Sequence, residues 1–373
     1  MTGMQQVLRD LRARTPEMLD ALRALVEAES PTDDPVACLV CVEVADAIAG
    51  DLLGTRGERI ELGGRVHLRW RLGASERVLL IGHLDTVWPV GTLARWPFEA
   101  RDGRATGPGV FDMKAGVVQL LFALAALDSI DGVAVLLTTD EETGSPTARS
   151  LIEETASGIG SALVLEPSAG GALKTERKGV SQYTITVRGR AAHAGLDPEK
   201  GANAAVELAH QVLAAAALAR PDLGTTVTPT LVAAGTAVNT VPAKASARVD
   251  VRVRTESEAG RISAALAALE PVDPGTSVDV ERSISIPPLE HGASAALFAR
   301  AQELAGGLGL ATLAEAAVGG GSDGNVLAGL GLKVLDGLGA VGDHAHAEGE
   351  YVEVEALAER AALVAALVQD LLR

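Results

Sequence analysis

Aromatic residues are nearly missing from this chain: four Phe, three Trp and two Tyr in 373 positions. With 47% of residues apolar, the interior must be filled by Ala, Leu and Val instead of rings. Cysteine is rarer still. Cys38 and Cys41 stand in a single Cys-Leu-Val-Cys segment, half of a structural zinc site with no second pair to complete it. Reduced thiols in a helix are the expectation, ahead of a redox motif. Positive charge is in deficit, with 32 Lys and Arg against 49 Asp and Glu and a net charge of −17. That balance argues against nucleic acid or an anionic membrane as partner. It leaves an anionic substrate open, because one local cation can dominate a pocket. No apolar run reaches the roughly 18 residues of a membrane span. Residues 1–6 lack a charged start followed by an apolar core, so no leader and a cytoplasmic location are expected.

What the chain does contain is a set of acidic and histidine-bearing segments, each just after an apolar run. They are Gly82-His83-Leu84-Asp85-Thr86, the stretch from Gly107 to Lys114 around Asp112, Thr139-Asp140-Glu141-Glu142, Leu165-Glu166-Pro167, and His344-Ala345-His346 with Glu348, Glu350 and Tyr351 behind it. Apolar runs such as 78–81, 133–137 and 162–165 read as buried strands. Ligands and catalytic groups collect at the carboxyl ends of strands in α/β sheets. Imidazoles and carboxylates converging there would suit a metal site, with room for two ions.

Periodicity predicts helices over 4–28, 35–53, 115–127 and 145–156, and strands near 58–62, 65–72, 77–82, 133–139 and 161–165. Strand–helix alternation implies an α/β domain with a mixed sheet covered on both faces. From about residue 178 the order becomes β-α-β-β-α-β: strands 182–188, 225–234, 243–254 and 277–286, helices 201–218 and 257–269. This is the ferredoxin-like pattern. Past Pro287-Pro288 the helix–strand style returns, with helices at 293–306, 323–329 and 353–372 and a strand at 332–336. The expected architecture is a discontinuous catalytic domain, 1–177 with 288–373, interrupted by a smaller lid or dimerisation domain, 178–287.

The residues allow a chemistry to be sketched. His83 and Asp85 are two apart, so in an extended chain they share a face and the acid can orient the imidazole; a surface ion pair is the plain alternative. Asp112 follows a Gly-Pro-Gly turn that can thrust a carboxylate into a site, or it caps the next helix. Glu141 and Glu142 point oppositely if the chain is extended, so one can ligate while the other faces a reacting water; a solvated acidic turn is the alternative. Arg252 offers a fork for a free carboxylate, or pairs with a nearby acid on its strand. Gly319-Gly320-Gly321-Ser322 lacks the lysine and spacing of a phosphate loop, but its amides could contact a substrate carboxylate. His67, His210 and His291 are given no role.

Eight segments in register, GHLDTVW, GPGVFDMKAG, TDEETGS, LEPS, AAHAG, NTVP, GGGSD and HAEGEYV, span nearly the whole chain. Together they resemble the glutamate carboxypeptidase, aminoacylase and succinyl-diaminopimelate desuccinylase family of two-zinc amidohydrolases, with the glutamate carboxypeptidase branch nearest. The resemblance implies two zinc ions per subunit, cobalt or manganese being alternatives. It implies His83 and Glu166 on one ion, Glu142 and His346 on the other, and Asp112 bridging, with a cis bond to Met113. It makes Asp85 the partner of His83 and Glu141 the general base and acid. His193 becomes a donor to the oxyanion, reaching a partner subunit's site in related dimers. Asn239 touches substrate, unless it only stabilises its turn. Of the two neighbouring histidines His346 is preferred, since it lies four residues before Glu350, and His344 is read as a hydrogen-bonding neighbour.

The expected activity is zinc-dependent hydrolysis of an amide to an amino acid with a free carboxylate, by a homodimer acting on a small or peptide-like substrate. A deacylase or desuccinylase of the same family is the second reading. A non-catalytic metal-containing binding protein is the third, opposed by the retention of Glu141 beside Glu142.

Overall fold

In the computed structural model, which describes residues 3–373, the apolar stretch at the start forms two helices, Gly3–Ala13 and Thr15–Glu27, where periodicity alone predicted one. Pro16 is the reason. It has no N–H to give and its ring blocks the preceding turn, but it is tolerated in the first turn of a new helix. The next helix, Pro35–Leu53, starts where Asp34 accepts the N–H of Val36 and Ala37, both at 3.0 Å. It carries Cys38 and Cys41, both free and buried. Burial pushes the Cys38 thiol up to about 12, so it stays protonated and inert.

The main sheet has six strands in the order Glu58–Leu62, Arg65–Leu72, Val133–Thr138, Val78–His83, Ser161–Val164 and Lys333–Leu335. The first two form an antiparallel hairpin, and Arg65–Leu72 runs antiparallel to Val133–Thr138. The remaining pairings are parallel. The fold is thus α/β with a mixed sheet. Val78–His83 and Val133–Thr138 are buried along their whole length, as strands covered on both faces must be.

Helix Ala115–Ala125, apolar but for the buried Gln119, packs against the C-terminal helix Val354–Leu371. Small residues let it come close: a Cβ on Gly116 would stand 2.1 Å from the carbonyl oxygen of Leu165. With few rings to fill space, this close approach keeps the core dense. Lys114, 1% exposed, donates to the carbonyls of Leu25 (2.8 Å) and Ala28 (2.9 Å) at the end of helix Thr15–Glu27. Lys114→Met is expected to destabilise the fold by about 2 kcal/mol, because both buried carbonyls lose their donor. A urea midpoint equal to wild type would show that water replaces the ammonium.

A second, four-stranded sheet escapes periodicity. Its strands, Gly342–Asp343, Tyr351–Glu353, Arg104–Thr106 and Glu99–Arg101, are only two or three residues long. It matters because Thr106 pairs with Tyr351, which sets the chain leading to Asp112 beside the turn that carries His346.

The chain divides into two compact units. One runs to Glu176 and resumes over Glu290–Val318 and Ser322–Arg373; the other is Arg177–Leu289 with Gly319–Gly321. In the second unit the strand order is Thr226–Ala234, Lys244–Val253, Gly179–Arg188, Ser277–Ile286, all antiparallel. Two helices, Ala204–Ala216 and Glu256–Ala267, complete the β-α-β-β-α-β order. Their apolar faces join Tyr183, Ile185, Val249 and Val251 in one core. Among the described residues no helix is long and apolar enough to cross a membrane.

Candidate metal centre

Parallel pairing aligns the ends of the central strands. His83 stands opposite Thr138, and Ile81 opposite Val164, so the chain leaves the sheet on one side at His83, Asp140-Glu141-Glu142 and Glu166. Asp112 enters the same place from the turn Val110–Lys114, where its bond to Met113 is cis. His346 arrives from a turn in which both His344 and His346 take left-handed backbone angles, φ 68° and 61°.

The side chains converge on Asp112. Its Oδ1 lies 3.3 Å from His83 Nε2 and its Oδ2 lies 3.3 Å from His346 Nε2. His83 Nε2 also lies 3.5 Å from Glu166 Oε1 and 4.0 Å from Glu141 Oε2. His346 Nε2 lies 3.1 Å from Glu142 Oε2. The ring of His344 instead turns to Tyr351, 6.1 Å between centroids.

The groups beneath this cluster hold it in place. His83 Nδ1 is 2.9 Å from the backbone carbonyl of Asp85 and 3.5 Å from its carboxylate. The nearer acceptor is thus the carbonyl, where the sequence suggested the side chain. The buried carboxylate of Asp85 accepts from Thr32 Oγ1 (2.8 Å) and from the backbone N–H of Glu141 and Glu142 (both 3.2 Å). It therefore fixes the two-glutamate turn as well. Burial pushes Asp85 up, but His83, Thr32 and the Glu142 N–H outweigh it and hold the carboxyl below the usual range.

Sequence reasoning missed several of these supports. His67, buried in its strand, accepts the N–H of Thr139 at Nδ1 (3.2 Å), so its neutral ring carries the proton at Nε2, 3.1 Å from Thr147 Oγ1. Thr147 in turn donates to Asp140 Oδ2 at 2.7 Å. Asp323 accepts from the Ser145 hydroxyl, and burial pushes its carboxyl up to about 7. Lys174 Nζ lies 3.9 Å from Glu166 Oε2. Glu350, counted in the sequence only as a spacing mark, is fully buried beneath the Asp112 turn. Nothing in its sequence position signalled this, because its partners, three backbone N–H groups and the Trp88 indole, lie more than 230 residues away.

The substrate candidates divide between the two units. In the second, His193 bridges Thr240, and the N–H of Ala194 donates to the carbonyl of Asn239 (2.9 Å), so His193 and Asn239 sit on adjoining loops. The N–H groups of Gly195 and Leu196 donate to His193 Nδ1, both at 3.1 Å, which places the neutral ring's proton on Nε2. The Arg252 fork is taken by Asp250, at 2.9 and 3.2 Å, the pairing kept open in the sequence as its plain alternative. The carbonyls of Gly320 and Gly321 accept from Arg177 (3.2 and 3.3 Å). In the first unit, Ser322 caps helix Asp323–Gly329. Its hydroxyl donates to Asp336 (2.8 Å) and accepts from Gly324 (3.1 Å), and its N–H donates to Asn325 (3.0 Å). The hydroxyl is thus committed within the fold.

The donor set fits cations. Buried His83 Nε2, Asp112 Oδ1 and Glu142 Oε1 make no hydrogen bond. Such orphans are costly unless something positive or polar meets them. His83, Asp112 and Glu142 form one group able to hold an ion, and His83, Glu141 and Glu166 another. Imidazole nitrogen with carboxylate oxygen is the chemistry of zinc and its borderline neighbours.

Asp112 and Glu142 raise His346 to about 10. Burial pulls His83 down, but Asp112, Asp85 and Glu166 outweigh it and hold it well above its ordinary value. Burial and Glu166 push Glu141 well above the carboxylate range, and burial raises Glu142. Because His346 is raised on folding, its contact stabilises the metal-free protein fully below pH 6.5 and is lost as pH climbs through about 10. Metal binding runs the other way, since ligands must shed protons. Zinc uptake at pH 7 is expected to release protons, and affinity to rise with pH. Calorimetry in buffers of differing ionisation heat reads this directly, and a buffer-independent heat would contradict it.

Comparison with known proteins now places the chain. The profile of peptidase family M20/M25/M40 matches residues 79–370. The chain is 29% identical over 378 residues to "Carboxypeptidase G2" of Pseudomonas sp. (strain RS-16), covering 95% of this chain and 89% of that protein. It is 30% identical over 359 residues to "Succinyl-diaminopimelate desuccinylase" of Azoarcus sp. (strain BH72), covering 89% and 92%. The fold is shared with the solved aminopeptidase PepT of Bacillus cereus ATCC 10987, at TM-score 0.77, 23% identity, and 96% and 99% coverage. It is also shared with Bacillus subtilis YXEP, described as a dinuclear metal binding peptidase from the M20 family, at TM-score 0.65 and 18% identity. The chain belongs to peptidase family M20/M25/M40 and is a metal-dependent hydrolase of the peptidase and amidohydrolase kind.

Proposed function

We propose that this enzyme hydrolyses an amide bond to an amino acid bearing a free carboxylate, using two zinc ions per subunit, with cobalt or manganese as alternative ions. The observation that carries the reading is Asp112, one oxygen toward His83 and the other toward His346. His83 and Glu166 would hold one ion, Glu142 and His346 the other, and Asp112 both. When bound, such a pair supplies Lewis acidity and lowers the pKa of water to about 7. Glu141 takes the proton from the attacking water and passes it to the leaving amine. Its buried setting, which favours a held proton, suits that exchange. Asp85 orients both His83 and the backbone that carries Glu141. His193, with its proton on Nε2, is the donor to the carbonyl oxygen as charge builds there. Asn239, on the adjoining loop, contacts substrate. For the substrate carboxylate, the amides of Gly320, Gly321 and Ser322 are the candidates, and Arg252 serves if it exchanges Asp250 for the substrate.

The likeness to carboxypeptidase G2 across nearly the whole chain favours a carboxypeptidase, and the motif resemblance to the glutamate carboxypeptidase branch makes a C-terminal glutamate the first substrate to try. The desuccinylase likeness supports the second reading, removal of an acyl group from a small amine. The zinc-loaded enzyme should release amine from N-acyl or glutamyl substrates and lose this with chelation. No metal-dependent release from either class would remove the proposal. A homodimer through the second unit is part of the reading. Its outer strand, Thr226–Ala234, pairs on one side only and exposes Leu231 and Val232, and such an edge invites pairing. Light scattering should give twice the chain mass.

A further inference from the structure

Four donors meet on one buried carboxylate. Glu350 Oε1 accepts the backbone N–H of Phe111 (2.7 Å) and Asp112 (2.9 Å). Its Oε2 accepts the N–H of Gly109 (3.1 Å) and the indole N–H of Trp88 (2.9 Å). The residue is fully buried. Glu350 begins the strand side of the turn that carries His346, since its own N–H donates to the carbonyl of Ala347 (3.2 Å). One side chain therefore ties together the loop after Asp85, the turn that presents Asp112, and the turn that presents His346. Groups behind metal ligands set ligand aim.

We propose that Glu350 is the positioning residue of the metal centre: by gathering the N–H groups of residues 109, 111 and 112 with the Trp88 indole, it sets where the Asp112 carboxylate stands between His83 and His346. Glu350 touches neither metal nor substrate. The inference rests on the two-ion reading above. It goes further in making metal affinity depend on a residue outside the ligand set and on the Trp88 loop.

The test titrates zinc against a chromogenic chelator, using metal-free wild type, Glu350→Gln, Glu350→Asp, Trp88→Phe, and Glu350→Gln with Trp88→Phe. Melting of each metal-free protein is followed in parallel. Glutamine keeps the size but turns an NH2 toward two of the four donors. Zinc affinity is expected to fall about 10- to 100-fold in Glu350→Gln, with every proposed ligand present. Trp88→Phe alone, losing one hydrogen bond, should change it by no more than about tenfold. In the double variant the indole no longer opposes the amide, so part of the affinity should return. Glu350→Asp keeps the charge but draws the carboxylate back, and should also bind zinc more weakly; it carries the test if Glu350→Gln does not fold. Wild-type affinity in a folded Glu350→Gln or Glu350→Asp overturns the proposal. So does a loss that only follows the melting temperature and is not relieved by Trp88→Phe. Wild-type protein that takes up no zinc overturns the two-ion reading itself, and this inference with it.

Discussion

Glu141→Gln is expected to keep its metal and lose turnover, with kcat down about 100- to 10,000-fold. The two adjacent glutamates are held alike by their backbone, since Asp85 accepts both N–H groups at 3.2 Å. Their side chains part company. Glu142 Oε2 is 3.1 Å from His346, and its buried Oε1 makes no hydrogen bond, as suits a ligand. Glu141 Oε2 stands 4.0 Å from the nearest imidazole nitrogen, where a proton carrier can face a water without losing its place to a cation. The rival assignment has a definite form, because Glu141 also belongs to the group of His83 and Glu166 that could hold an ion. Elemental analysis beside steady-state kinetics separates the two. Loss of one zinc per chain in Glu141→Gln would make Glu141 a ligand and pass the proton to Glu142.

Asp112→Ala is expected to be the most damaging single change. It removes the one carboxylate that faces both histidines, at 3.3 Å on each side. Both ions should be lost after dialysis, and activity should fall to background. Removal of a proposed ligand from the edge of the site, as in His346→Ala, should instead leave one ion behind. The metal-free stability should change in step. His346 owes its raised pKa first to Asp112 and then to Glu142. In Asp112→Ala the stability of the metal-free protein should therefore depend less on pH between 6.5 and about 10. Two tightly held zinc ions in Asp112→Ala would end the bridging assignment.

Much of this molecule was legible in its residues. The buried strands Val78–His83 and Val133–Thr138 announce themselves as apolar runs, and the helix expected over 35–53 is Pro35–Leu53. The second unit's alternation, with Tyr183, Ile185 and Val187 on one face, reads directly as half-buried strands. These signals are local, because a strand or helix records in its periodicity which side faces apolar neighbours. Where local signals were weak or competed, the reading slipped. Pro16 splits a run whose apolar spacing is continuous. The two- and three-residue strands around Thr106 and Tyr351 are too short to show any period. At Arg252 two partners were left open, and the structure pairs its fork with Asp250 two residues away, as same-face strand positions allow.

By itself the sequence determined the donor types, their order along the chain and the strand ends that carry most of them, because those depend on side-chain chemistry and nearby spacing. Tertiary structure alone decided which atoms meet: that each oxygen of Asp112 faces a different imidazole, that the Asp85 carbonyl takes His83 Nδ1, and that Glu350 collects backbone donors from the Asp112 turn. The reason is physical. Those meetings join chain segments far apart in sequence, and hydrogen-bond directions are set only once packing has fixed both backbones.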